Sequence, residues 1–241
     1  MKKLFMAVIA FMMTLSASAQ FYIYCSDGNV IKVDSISMVA PVEKPNSENG
    51  HDWVDLGLPS GLKWATCNVG ANAPEEYGDY FAWGETQTKS TYDWSTYKWC
   101  NGDYNKLTKY STNSSYGTVD NKTVLDKEDD AAAANWGGAW RMPTKAEQDE
   151  LRQQCTWTWT TKNAVRGYQV TGPNGKSIFL PAAGYLYDSG LDYAGSHGFY
   201  WLSSLYTDNP SVAYGLSFHS NGVVWDGDYR RYGRSVRPVC Q

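Results

Sequence analysis

Histidine is scarce in this chain, and most site chemistries that depend on it are thereby excluded. Only three occur in 241 residues, His51, His197 and His219, and no two stand at the i, i+4 or H-x-H spacing that metal ligation favours. A serine hydrolase needs a nucleophile, a base and an orienting acid. Ser196 and His197 are sequence neighbours in a loop, where adjacent side chains usually point apart, and there is no G-x-S-x-G elbow. No C-x-x-C pair is present to mark zinc or redox chemistry, and no glycine loop of nucleotide-binding type occurs. No block of Lys or Arg occurs either, so nucleic acid is not an expected partner. Beyond residue 15 no apolar run is long enough to cross a bilayer.

The first residues, by contrast, are apolar. Lys2 and Lys3 precede Leu4–Leu15, a run of about a dozen residues, and Ala17-Ser18-Ala19 places small side chains where a signal peptidase reads. The pattern predicts a signal peptide over 1–19 with cleavage before Gln20; an uncleaved anchor would need a longer apolar stretch. With Lys2 and Lys3 removed, 19 basic side chains face 25 acidic ones, a net of −6. Cys25, Cys67, Cys100, Cys155 and Cys240 are widely spaced. Export favours disulfides at such spacing, and Cys67 with Cys100 and Cys155 with Cys240 are the expected pairs, although spacing alone does not exclude five reduced, buried thiols.

What is abundant is aromatic: 11 Trp and 18 Tyr. Large rings with polar handles suit cores, half-exposed surfaces and ligand platforms alike. Residues 20–40 read as a β-hairpin segment and 41–50, polar and rich in Pro, Asn and Glu, as a linker. A main domain follows over 51–241. Short strands are expected at 53–58, 62–69, 79–85, 200–205 and 235–239. Two hairpins are expected around Gly172–Gly175 and Ser220–Gly222. The region 86–123 shows little alternation and reads as a long irregular loop. One helix should start at the acids from Asp126 to Asp130 and end at Gly137-Gly138. A second should open with a capping box, Thr144 to Glu147, and run to about Gln154. These elements predict an α+β domain, two helices against short antiparallel strands, preceded by a small N-terminal β-hairpin.

Sugar binding asks for exposed aromatic faces and a few planar polar groups, and two segments mix both. One carries Trp225, Asp226, Asp228, Tyr229, Arg230, Arg231 and Tyr232; the other carries Tyr185, Tyr187, Asp188, Asp192 and Tyr193. Asp226 and Asp228, or Asp126, Asp129 and Asp130, could also offer oxygens to calcium, with a plain turn and a helix N-terminus as the alternatives. Glu75, Glu76, Glu85, Asp226 and Asp228 are available as carboxylates for glycoside hydrolysis, but no pattern pairs them.

Five blocks, VDLGLPSGLKWATCNVGA (54–71), YGDYFAWGET (77–86), GGAWRMPTKAEQDEL (137–151), GFYWLSS (198–204) and GRSVRPV (233–239), together resemble the Fibrobacter succinogenes major paralogous domain. That family is common in exported proteins of Bacteroidetes and related bacteria. It is similar in fold to the formylglycine-generating enzyme and the C-type lectins, so the resemblance implies a C-type-lectin-like, loop-rich domain. Trp140, Arg141, Pro143, Thr144, Glu147, Trp201 and Arg237 fall in these blocks and are expected to maintain the fold, with the arginines needing carboxylates or carbonyls if buried. The oxidases of this fold use a close copper-binding cysteine pair in a C-terminal loop; 198–237 contains no Cys, so formylglycine formation is not expected. The functional expectation is an exported, non-enzymatic binding module in the periplasm, on the outer surface or in the medium, meeting a glycan or a surface protein. A structural piece of a fimbria-like assembly and a carboxylate-based hydrolase are the alternatives.

Overall fold

The computed structural model describes residues 21–24, 30–33 and 46–241, and the chain divides into two units, Met1–Lys44 and Pro45–Gln241. The expected signal peptide, its cleavage site and Cys25 lie outside the described residues. In the first unit β1 (Phe21–Tyr24) and β2 (Val30–Val33) pair antiparallel with Phe21 opposite Val33, the hairpin that the sequence predicts.

The second unit begins earlier than expected. Ser47–Glu48 form a strand, β3, that turns through Asn49-Gly50 into β4 (His51–Asp55). Both turn residues have positive φ, 45° and 84°, the conformation that a tight two-residue hairpin requires and that Asn-Gly adopts at least cost. From residue 46 on, the expected linker is therefore part of the fold. Trp140 Nε1 donates to the Glu48 carbonyl at 2.7 Å and the Ala139 amide to the Glu48 carboxylate at 3.1 Å.

Strands make up 38% of the structure and helical turns 11%, which corrects the α+β expectation to a β-rich fold of small antiparallel sheets. The first sheet has the order β14-β5-β4-β3, with β5 at Lys63–Ala65 and β14 at Val239–Cys240. The second is β6-β7-β8, Thr156–Lys162, Val165–Thr171 and Ser177–Pro181. β9 (Tyr185–Tyr187) and β10 (Gly190–Asp192) form a small hairpin. The last sheet is β11-β12-β13, His197–Leu205, Val212–His219 and Gly222–Tyr229. The expected strands at 79–85 and 235–239 reduce to an isolated bridge at Phe81, bridges at Arg234 and Ser235, and β14.

Helix is limited for a local reason. Asp130 caps α1 (Ala131–Trp136) by accepting from the Ala132 and Ala133 amides at 2.9 and 3.0 Å, so the acids before it form only a 3-10 turn. Gly137 then ends the helix with φ 67°. α2 (Lys145–Gln154) carries the predicted capping box: Thr144 accepts from the Glu147 amide, and the Glu147 carboxylate accepts from the Thr144 amide at 2.8 Å. The same carboxylate grips Arg141 through both guanidinium nitrogens, at 2.8 and 2.5 Å.

Two large apolar clusters fill the unit, one around Trp83, Trp140 and Trp201, the other around Trp64, Tyr168 and Phe218. Trp201 donates its indole N–H to the Phe81 carbonyl at 2.9 Å. Arg237 is 2% exposed and has no carboxylate partner among the described residues; it donates to the carbonyls of Ala65, Thr66 and Phe179 and to Asn68 Oδ1, all within 3.1 Å. The expected disulfides do not form: Cys67, Cys100, Cys155 and Cys240 are free thiols. Their surroundings explain it. Cys240 packs in the Trp83 cluster and Cys155 against the Trp64 cluster, while Cys67 and Cys100 point at the carbonyls of Ala71 and Trp94.

Truncating Thr144 to Ala should cost about 1 kcal/mol, the usual worth of a lost cap. Replacing Arg237 by Met strands several buried acceptors and should cost about 3 kcal/mol or more. Urea unfolding of the two variants checks the ranking, and an Arg237→Met loss no larger than that of Thr144→Ala would refute the role assigned to the arginine.

Candidate functional site

Most of the residues singled out for binding gather on one surface, and the β9–β10 hairpin is what brings them there. Leu186 exchanges backbone hydrogen bonds with Gly233, at 2.7 and 3.0 Å, which lays the hairpin alongside the C-terminal segment. Tyr185, Tyr187 and Tyr193 thereby meet Tyr229 and Tyr232. Ring centroids run Tyr193–Tyr185 6.1 Å, Tyr185–Tyr232 5.3 Å, Tyr232–Tyr229 6.0 Å and Tyr229–Trp94 5.9 Å, with Tyr187 5.6 Å from Tyr232. Tyr187, Tyr193 and Tyr229 are 40%, 56% and 41% exposed, while Tyr232 between them packs against the core. Trp94, from the irregular 86–123 region, has no local sequence signal tying it to residues more than 130 positions away.

Charge is woven into the row. The Arg231 guanidinium lies over Tyr232 at 4.7 Å and Tyr187 at 4.9 Å, a cation–π arrangement. It stands 3.9 Å from the exposed Asp188 carboxylate. At the other side Arg234, fully buried, stacks on Trp201 and Phe199 at 4.5 and 5.1 Å. Its Nη2 pairs with Asp228 and reaches Asp226 at 3.6 Å, while its Nε and Nη1 have no hydrogen-bond partner among the described residues. Gly215 lets the guanidinium lie close against β12, since a Cβ there would stand 2.5 Å from Nη1. Burial pushes the Asp228 carboxyl up and Arg234 pulls it back down, the burial prevailing. Burial, with the neighbouring His219, holds His197, whose ring stacks on Phe199 at this edge, below the usual imidazole range.

Two expected members belong elsewhere. Arg230 has no exposed surface; it donates to Tyr97 Oη, to the Tyr110 and Pro210 carbonyls and to the Lys109 carbonyl, all within 3.1 Å, and so ties loops together rather than meeting a ligand. Trp225 is 43% exposed, but its partners are Tyr214, 5.6 Å away, and Lys145, 5.1 Å away. Side chains at 225 and at 226 and 228 leave β13 on opposite faces, and Tyr229, of the same parity as Trp225, meets Trp94 and Tyr232 only where the strand ends. Asp192 is exposed and sits opposite Tyr185 in the hairpin.

The acids considered for calcium are otherwise engaged. Lys109 Nζ stands 2.7 Å from Asp126, 4.0 Å from Glu128 and 2.5 Å from Asp129, the position a cation would take in that cluster. Asp130 accepts the Met142 amide at 2.8 Å besides capping α1. Asp126, Glu128 and Asp129 lie close enough together to hold a metal ion, and the Lys109 ammonium stands among them.

Among known protein families, the model of a domain of unknown function (DUF8237) matches residues 145–239, from α2 to the last strand, which takes in every ring of the row except Trp94. No curated protein and no solved structure matches the chain. No helix among the described residues is long and apolar enough to cross a membrane.

Lys109 and then Lys122 hold the Asp126 carboxyl down, to about 2 from an ordinary 3.8. A depressed carboxylate stabilises the fold above its unfolded value and loses that contribution as pH falls through its folded value. Stability should thus decline between about pH 4 and about pH 2, and Lys109→Met should flatten that part of the curve. Urea midpoints measured across the window test this; parallel curves for the two proteins would refute it.

Proposed function

We propose that this protein is an exported, non-enzymatic binding module of the cell envelope that recognises a glycan on the Tyr193–Tyr185–Tyr232–Tyr229 row. The observation that carries the reading is the exposure of Tyr187, Tyr193 and Tyr229 on one continuous aromatic surface with charged hydrogen-bonding groups at its edges. An exposed ring face receives the apolar face of a sugar, while carboxylates and guanidinium groups take up its hydroxyls. Asp226 and Asp228 both stand on Arg234, side by side on one strand, rather than facing each other across a cleft as a glycosidase pair does. The signal-like first 19 residues support export.

A glycan array of the protein beginning at Gln20 tests the reading. Selective hits are expected, weakened about tenfold or more by Tyr193→Ala or Tyr187→Ala and little affected by Trp225→Ala, which removes a ring outside the row. Hits lost only with Trp225→Ala would move the site to the Tyr214 side of β13, and a blank array from folded protein would count against glycan binding.

A further inference from the structure

Building on the glycan reading, we infer that the row takes an uncharged oligosaccharide, with Asp226 as the hydroxyl acceptor and Arg231 as the opposing donor. Three observations carry this.

The first is charge. Asp188, Asp192 and Asp228 lie beside the rings and Asp226 beside Arg234, against two cations, Arg231 and Arg234. Arg234 is fully buried and already faces two carboxylates. The surface offered to a ligand is therefore acidic on balance. A uronic or other carboxylate-bearing sugar would bring like charge against it, which costs affinity and slows encounter. A neutral sugar carries no such penalty, and its hydroxyls both donate and accept.

The second is the state of the two side chains. Asp226 is 39% exposed at its side chain and accepts no hydrogen bond from any described residue; its ion-pair partner among them is Arg234 at 3.6 Å. It is held in place by a charge yet keeps its acceptor capacity for something outside. Buried Arg234, with Nε and Nη1 unpartnered, is the fixed base beneath that carboxylate. Arg231 is the counterpart. Its side chain is 13% exposed and its Nε is buried without a partner among the described residues, so the donors it can turn to a ligand are its terminal nitrogens, whose contacts to the Tyr92 carbonyl and Tyr232 Oη are long at 3.4 Å. An acceptor near one side of the row and a donor near the other match a polyol better than an anion.

The third is length. Neighbouring centroids lie 5.3–6.1 Å apart from Tyr193 to Trp94. The row therefore continues well beyond the footprint of one ring and suits a chain of sugars.

The test uses matched neutral and uronic-acid oligosaccharides against wild type, Asp226→Asn and Tyr193→Ala, with thermal melts to confirm that each variant is folded. Neutral chains should bind about tenfold more tightly than their acidic counterparts, and Asp226→Asn should weaken neutral binding about tenfold without moving the melt. Acidic chains binding equally or better, or neutral binding unchanged in folded Asp226→Asn, would overturn the inference while leaving the aromatic row as the site. Binding indifferent to Tyr193→Ala, or no oligosaccharide binding at all, would overturn the site as well.

Discussion

Buried arginine is the constraint around which the second unit is organised. A guanidinium carries five donors in a rigid fork and is never neutralised, so once it is taken from water every nearby carbonyl is drawn towards it. Between residues 230 and 237 the chain places three such groups in the interior, each at most 2% exposed. Arg230 gathers carbonyls from residues 109, 110 and 210, and Arg237 those of residues 65, 66 and 179. Long stretches here have no sheet or helix to satisfy their backbone groups, and the arginines do part of that work. The segment that carries them makes little regular structure of its own, because its hydrogen bonds go to many different partners.

The candidate surface follows from the same arrangement. Fixing 230–237 fixes Gly233, to which the β9–β10 hairpin is bonded, and so brings Tyr185 and Tyr187 beside Tyr232. Arg234 differs from its two neighbours in facing carboxylates rather than carbonyls, and those carboxylates, Asp226 and Asp228, reach solvent at the rim of the aromatic row. One short segment thus links the interior ties to the surface chemistry.

Elements defined by local rules were legible in the sequence. The Thr144–Glu147 capping box, the hairpins around residues 172–175 and 220–222 and the irregular character of 86–123 all depend on a few adjacent residues. Class was misjudged because the acids before Ala131 look like a helix start, whereas Asp130 is itself the cap and leaves only six helical residues. β6 alternates Trp and Thr with a period of two, a strand pattern carried by its own residues. Arg230 reads as a surface residue beside Tyr229 and Tyr232, and nothing local reveals that its partners lie about 120 residues away.

By itself the sequence determined the signal-like start, the turn and cap positions, the wealth of aromatic side chains and the two segments in which rings and charges mix, since each is a property of neighbours along the chain. Only the tertiary structure decided which of those residues share a surface. Trp225 and Asp226 are consecutive yet leave β13 on opposite faces, while Trp94 and Tyr229, distant in sequence, pack ring against ring. The physical reason is that strand alternation separates neighbours, and long-range backbone pairing, as between Leu186 and Gly233, joins strangers.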